Sequence, residues 1–289
     1  MFTTATLSDG RTLEYADVGD PSGTPMVLCH GTPATAGQAS VIAGSAARRG
    51  VRLVAPTRPG YGASTLSPPG LAASAPDVLE LADQLGIERF ALMGTSGGGP
   101  FALAVAGVAP DRAALVSVHA GPGCWAQVNP DVLGDDDRRA LDLVAAGDVD
   151  EGMAVMVALA DADLGGLREL SPADFSVALA RLAPPGENWL DRYPDLKRAF
   201  QADFRRAIAT GAGMARDNLS WLASWDFDLA TVTSPVRLVY GEGDQMIPPR
   251  HGEWLRERLP SSELHVVPGG HGDVTFGAAE EAFVALASG

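Results

Sequence analysis

The segment that most restricts how this chain can fold is Gly94-Thr95-Ser96-Gly97-Gly98-Gly99. It follows the apolar run Arg89 to Met93, which suits a buried strand, and leads into the apolar stretch Pro100 to Val108, which suits a helix. A serine between small residues, after a strand and before a helix, matches the G-x-S-x-G pattern of a sharp strand–turn–helix. Such a turn forces the serine backbone into a strained conformation. The small neighbours avoid clashes, and Oγ is exposed at the carboxyl edge of the sheet. The competing reading, a glycine-rich turn with an ordinary serine, leaves the flanking strand and helix unexplained.

Strands and helices alternate on both sides of this turn. Arg11 to Val18 reads as a strand after the turn Ser8-Asp9-Gly10, so an N-terminal hairpin is expected. The run Met26 to Cys29 ends in His30-Gly31. A helical pattern from Gln38 to Arg49 closes at Gly50, and Val51 to Ala55 is a buried-strand run. Ser74 with Asp77 has the spacing of a capping box, and Val78, Leu79, Leu81, Ala82 and Leu85 carry a helix to Gly86. Further strands are predicted at Ala114 to Val118, Val236 to Tyr240 and Leu264 to Val267, with helices near Pro249 to Leu259 and Ala278 to Ala287. The fold class is therefore α/β, with a mostly parallel, doubly wound sheet covered on both faces. From 121 to 228 the rhythm changes: helical patches at Asp150 to Ala160, Asp174 to Leu182 and Leu196 to Thr210 succeed one another without a strand. This segment is expected to be a helical cap inserted into a core formed by 1–120 and 229–289.

A serine hydroxyl is a poor nucleophile at neutral pH and needs a base, which in turn needs a partner to fix its tautomer. The chain order Ser, acid, His selects Asp244 and His271. Asp244 follows one predicted strand through Gly241-Glu242-Gly243, and His271 follows the next through Pro268-Gly269-Gly270, so both fall at the same sheet edge as Ser96. Glu242 is the nearest rival acid. Among the other histidines, His30 reads as a structural residue of its loop and His119 as a strand end that could line the pocket. His251 and His265 read as surface and strand residues. Two backbone N–H groups are needed to stabilise a developing oxyanion, and Gly97 and Thr32, in His30-Gly31-Thr32-Pro33, occupy the donor positions.

Charge narrows the partners. The formal net charge is −15, from 36 acidic against 21 basic residues, without a dense Lys/Arg cluster, which disfavours nucleic acid and anionic membrane surfaces. Asp135-Asp136-Asp137 reads as a solvated acidic loop, since three adjacent side chains diverge while metal ligands converge. No metal or cofactor is expected, and the partner is a small-molecule substrate; nothing in the sequence sets an oligomeric state. The N-terminal residues lack the pattern of a signal peptide and no long apolar run follows, and two cysteines, Cys29 and Cys124, suit a reducing compartment, so a cytoplasmic location is expected.

Together, His30-Gly31-Thr32-Pro33, Arg58-Pro59-Gly60-Tyr61-Gly62-Ala63-Ser64, Gly94-Thr95-Ser96-Gly97-Gly98, Gly241-Glu242-Gly243-Asp244 and Gly270-His271 resemble the α/β-hydrolase superfamily over the whole chain except the insert. The resemblance implies an eight-stranded sheet, with a helical cap after strand six roofing the pocket. It also implies that a strand lies between Cys29 and Cys124, holding them too far apart for a disulfide. Serine at the elbow departs from the aspartate of dehalogenases and epoxide hydrolases. Gly97 departs from the tryptophan of proline iminopeptidases and from the methionine common in perhydrolases and ring-cleavage hydrolases. Trp125, Met153, Met156, Trp189 and Trp221, with Phe200 and Trp225, are candidates to line an apolar acyl pocket, against the alternative that they only pack helices. The expected activity is hydrolysis of a small or medium, largely apolar ester through an acyl-enzyme on Ser96. The same residues would serve carbon–carbon hydrolysis, lyase or cyclase chemistry, and a non-catalytic binding protein could share the fold.

Overall fold

The central strands are mostly apolar because both faces of the sheet are covered, and they fix the architecture. In the computed structural model, which describes residues 2–182, 194–277, 282 and 285–286, eight strands form one sheet in the order β1-β2-β4-β3-β5-β6-β7-β8. They are β1 (Thr3–Thr6), β2 (Thr12–Gly19), β3 (Thr24–Cys29), β4 (Val51–Pro56), β5 (Phe90–Thr95), β6 (Ala113–His119), β7 (Val236–Gly241) and β8 (Ser262–Val267). β1 and β2 form the antiparallel N-terminal hairpin, β2 runs antiparallel to β4, and every other pairing is parallel.

Alternate residues of each strand serve opposite faces. Val27 and Cys29 of β3, with Phe90 and Leu92 of β5, join one core; Met26 and Leu28, with Ala91 and Met93, join the other. Helix α1 (Ala39–Arg48) packs on the second face, and α2 (Ala75–Gln84) and α3 (Gly99–Val108) on the first. Helix α3 is buried at every residue from Gly99 to Ala106, which explains why its sequence is apolar all round. Cys29 ends β3 and Cys124 lies after β6, and both are free, buried thiols.

Between β6 and β7 the described residues form helices joined by turns, with no strand. The helices are α4 (Trp125–Val128), α5 (Asp135–Ala146), α6 (Val149–Leu164), α7 (Pro172–Leu182), α8 (Pro194–Ala207) and α9 (Ala212–Trp221). They build two cores of their own, one around Met156, Ala215, Leu219 and Leu222, the other around Leu167, Phe175 and Ile208. After β7 comes α10 (Arg250–Arg256). The last predicted helix falls largely outside the described residues.

Several local expectations are corrected. Ser74 caps no helix through its side chain. Its hydroxyl donates to the Gly70 carbonyl at 2.6 Å and accepts from Arg216 at 2.8 Å. Asp77 does not turn back to the helix end either, because it takes both terminal nitrogens of Arg11, at 2.9 and 2.6 Å. Asp135, Asp136 and Asp137 are exposed, but they form the first turn of α5 rather than a loop. The N-terminal end of a helix dipole favours that placement, and Asp137 accepts from the Gly134 N–H at 2.9 Å. His251 is fully buried rather than a surface residue.

Polar residues fasten the insert to the sheet. Arg206 of α8 holds Glu14 of β2, with Nη1 to Oε1 at 2.6 Å. One turn earlier, Asp203 accepts from the Thr35 N–H at 3.1 Å and from the Thr35 hydroxyl. Burial works against the Glu14 carboxylate, yet hydrogen bonds from Arg206 and Thr57 bring its pKa below the ordinary value. Asp203 accepts from the Thr35 groups, but burial outweighs them and pushes it up to about 6. A carboxyl whose pKa rises on folding destabilises the folded state once ionised. The cost is absent below the unfolded pKa near 4, grows as pH rises towards 6, and reaches about 3 kcal/mol above it. Wild type should therefore lose up to about 3 kcal/mol relative to Asp203→Asn between pH 4 and 6.5, with a constant difference above pH 7. Denaturant melts of both proteins across that range check this; a difference that does not change with pH would contradict it.

Candidate active site

The serine turn forms where β5 meets α3. Ser96 has a positive φ of 48°, and Gly94 and Gly98 are required by close approach. A Cβ on Gly98 would sit 2.1 Å from the Cys29 carbonyl oxygen and 2.4 Å from that of His30, and one on Gly94 would sit 2.7 Å from the Gly98 oxygen. The turn is thus pressed against the end of β3, which brings the loop after β3 beside Ser96.

His271 and Asp244 arrive from the ends of β8 and β7. His271 Nδ1 lies 2.8 Å from Asp244 Oδ2, and Nε2 lies 3.0 Å from Ser96 Oγ. A carboxylate only accepts, so Nδ1 carries the proton and Nε2 is left to accept from the serine hydroxyl. The other oxygen of Asp244 accepts the N–H groups of Met246 and Ile247 at 2.9 and 2.8 Å, which fixes the carboxylate plane. Asp244 is buried, whereas Glu242 is exposed. The loop bearing His271 is tied by Gly270 N–H to Asp273 Oδ2 at 2.9 Å and by Thr275 Oγ1 to the His271 carbonyl at 2.9 Å. Such an arrangement can activate a hydroxyl and receive its proton.

Thr32 lies across from Gly97. A Cβ on Gly97 would come within 2.5 Å of Thr32 Oγ1 and 3.4 Å of Thr32 N, so the two residues bound one small space next to Ser96. Gln38, to which the sequence analysis gave no role, bridges this loop to the elbow: its Oε1 accepts the Gly31 N–H at 2.7 Å and its Nε2 donates to Thr95 Oγ1 at 2.8 Å. Gln38 sits inside a predicted helix start, a position that carries no motif of its own.

The remaining histidines have other partners. His30 Nδ1 donates to the Gly31 carbonyl at 2.8 Å and Nε2 accepts the Arg58 N–H at 3.0 Å, consistent with a loop-building role. His119 is fully buried, with Nε2 2.7 Å from Ser117 Oγ. His251 Nδ1 accepts the Gly123 N–H at 3.1 Å, and its ring lies 4.8 Å from that of Trp125. Burial depresses all three: His119 and His251 fall to about 4, and His30 well below its ordinary value.

Of the candidate pocket residues, Trp125 and Trp221 meet with ring centroids 5.5 Å apart at a 55° tilt, and Met153 and Met156 belong to the same apolar cluster of the insert. Met156 is 1% exposed and fills that core. Trp189 lies outside the described residues. Phe200 packs on Phe204 and Phe276.

Comparison with known proteins agrees with this architecture. The model of the alpha/beta hydrolase fold family matches residues 24–278, and the chain belongs to that family. A similar protein is the putative carbamate hydrolase RutD of Caulobacter sp. (strain K31), 29% identical over 218 residues, which are 74% of this chain and 70% of the relative. Among solved structures, a hydrolase from Pseudomonas aeruginosa PA01 is 25% identical, with a TM-score of 0.66 over 100% of this chain and 98% of the other. The enol-lactonase from Burkholderia xenovorans LB400 shares the fold at 21% identity and a TM-score of 0.65, over 99% and 97% of the two chains. No described helix is long and apolar enough to cross a membrane.

The packing at the elbow makes a direct test. Gly98→Ala forces a methyl group onto two backbone carbonyls and should lower the melting temperature by about 5 °C or more. Gly166→Ala, where nothing lies within 4 Å of the new methyl, should leave it within about 2 °C. Equal melting temperatures for the two variants in thermal scans would contradict the close contact.

Proposed function

We propose that the protein hydrolyses a carboxylic ester of a small or medium, largely apolar substrate through an acyl-enzyme on Ser96. The observation that carries this reading is the continuous hydrogen-bonded line from Asp244 through His271 to Ser96 Oγ. In the first half-reaction Ser96 Oγ attacks the carbonyl carbon while His271 Nε2 takes its proton. The oxyanion is held by the N–H groups of Thr32 and Gly97, and His271 returns the proton to the leaving alcohol. In the second half His271 removes a proton from water, which attacks the acyl carbonyl and releases the acid. Asp244 holds the productive tautomer and stabilises the imidazolium.

The insert acts as a cap over this edge, and Trp125, Met153 and Trp221 offer the apolar surface that selects the acyl group, with Trp189 a further candidate. The acidic surface disfavours anionic substrates. The names of the carbamate hydrolase and the enol-lactonase support the same reading, because ester, carbamate and lactone cleavage all pass through attack on a carboxyl-type carbon. A reducing cytoplasm suits the free thiols of Cys29 and Cys124.

A series of chromogenic esters should be turned over, with short and medium acyl chains preferred. Acid quenching during turnover should leave the acyl mass on the peptide containing Ser96. Asp244→Asn should lose up to about 10⁴ in kcat with the fold retained. Turnover of no ester, or full activity in Asp244→Asn with loss in Glu242→Gln, would refute the assignment.

A further inference from the structure

The loop that carries Thr32 does not hold its shape alone. Arg58, from the turn after β4, sends its guanidinium beneath it: Nη2 donates to the Gly31 carbonyl at 2.9 Å, Nη1 donates to the His30 carbonyl, and Nη2 also reaches Thr32 Oγ1 at 3.0 Å. The same guanidinium meets Asp217, in the middle of the insert helix α9, with Nε at 3.0 Å from Oδ1 and Nη2 at 2.6 Å from Oδ2. Asp217 Oδ2 accepts two further bonds, from Thr32 Oγ1 at 2.7 Å and from the Tyr61 hydroxyl at 3.0 Å. The Asp217 side chain is 0% exposed and that of Arg58 7%. One carboxylate of the insert therefore gathers four donors from two separate parts of the chain, the loop after β3 and the turn after β4, at the place where Thr32 faces Gly97.

We propose that Asp217, acting with Arg58, is a positioning residue for the oxyanion site: it orients Thr32 and makes that orientation depend on the docking of the insert. The inference rests on the assignment of Ser96 as nucleophile and of the Thr32 N–H as a donor, and it adds to them a part of the insert that touches no reacting atom. The physical argument is one of geometry. Thr32 Oγ1 is held between Asp217 and Arg58 and lies against Gly97, so the Thr32 side chain cannot turn without breaking two charge-assisted hydrogen bonds. The peptide unit of Thr32 is further restrained on its N-terminal side by the Arg58 bond to the Gly31 carbonyl. A donor aimed before the reaction costs no reorganisation when negative charge develops on the substrate oxygen, which is where such groups contribute most. If α9 lifts, Arg58 loses its counter-charge and Thr32 Oγ1 loses its bond to Asp217. The same helix carries Trp221, whose ring meets that of Trp125 at 5.5 Å between centroids and a 55° tilt.

Asp217→Asn tests this with the side chain's shape retained. In that variant kcat for p-nitrophenyl acetate should fall about 10- to 100-fold while KM changes less than about threefold. The inhibition constant of phenylboronic acid, whose tetrahedral adduct on Ser96 uses the same donors, should rise in parallel. Thr32→Val should reproduce the pattern, Thr32→Ser should restore much of the rate, and the double variant Asp217→Asn with Thr32→Val should be little worse than the poorer single one. Hydrogen exchange read by mass spectrometry gives an arm that needs no substrate: in Asp217→Asn the peptide covering 29–38 should exchange at least about tenfold faster, with β7 and β8 unchanged. If wild type hydrolyses no ester, the proposed activity fails, and the exchange arm still decides whether Asp217 holds the loop. If Asp217→Asn does not fold, Thr32→Val against Thr32→Ser decides it. A folded Asp217→Asn with kcat within twofold of wild type, or with unchanged exchange at 29–38, would overturn the proposal.

Discussion

Ser96 sits at φ 48° in a turn with no room for side chains at Gly94 or Gly98, and the rest of the site is arranged around that strained residue. A left-handed conformation at a non-glycine residue costs about 1–3 kcal/mol and persists only where surrounding contacts enforce it. Here the enforcement comes from the carbonyls of Cys29 and His30 on one side and the fully buried helix α3 on the other. The order β3-β5-β6-β7-β8 then delivers the carboxyl ends of β3, β7 and β8 to the same edge as β5. Thr32, Asp244 and His271, separated widely along the chain, converge on one hydroxyl for that reason.

Around this edge His271, His30, Asp244 and Asp217 each have defined hydrogen-bond partners. Five histidines are present, and their hydrogen bonds separate one from the rest: His271 alone links a buried carboxylate to the serine, whereas His30, His119 and His251 are held neutral by burial. The acids divide similarly. Asp244 and Asp217 each collect donors that suit a carboxylate, one beside His271 and one under the loop after β3, while burial raises Asp203 at the α8 contact to about 6. The insert is therefore joined to the sheet through charged and polar pairs, at Glu14, Thr35 and Arg58, as well as through apolar packing.

The sheet and the Ser96, Asp244 and His271 constellation were legible in the sequence because each rests on local signals: apolar runs of strand length, glycines at turns, and loops placed after strands. The approach of Thr32 to Gly97 follows from the same local signals, through their positions relative to Cys29 and Ser96. What escaped depends on contacts distant in sequence. Asp217 meets Arg58 across 159 residues, and nothing around Asp217 distinguishes it from a solvated helix residue. The Ser74 and Asp77 spacing suggested a cap, but Arg11 and Arg216 outcompete the helix end for both side chains. His251 read as surface because its helix is short and charged at Arg250, Glu253 and Arg256, whereas the ring turns inward against Trp125. The helices α5 and α9 were missed because the first is charged at six of its twelve residues and the second starts just after Gly211 and contains Gly213, so neither shows a long apolar stripe.

The central claim is that Ser96 and the facing amides of Thr32 and Gly97 form one preorganised acyl-transfer site. A crystal structure of the protein after reaction with an alkyl fluorophosphonate, which mimics the tetrahedral intermediate, tests it most directly. The account predicts phosphorus bonded to Ser96 Oγ and a phosphonyl oxygen within about 2.7–3.1 Å of both the Thr32 and the Gly97 nitrogen atoms. An adduct at another residue, or one on Ser96 whose oxygen turns away from both amides, would contradict it.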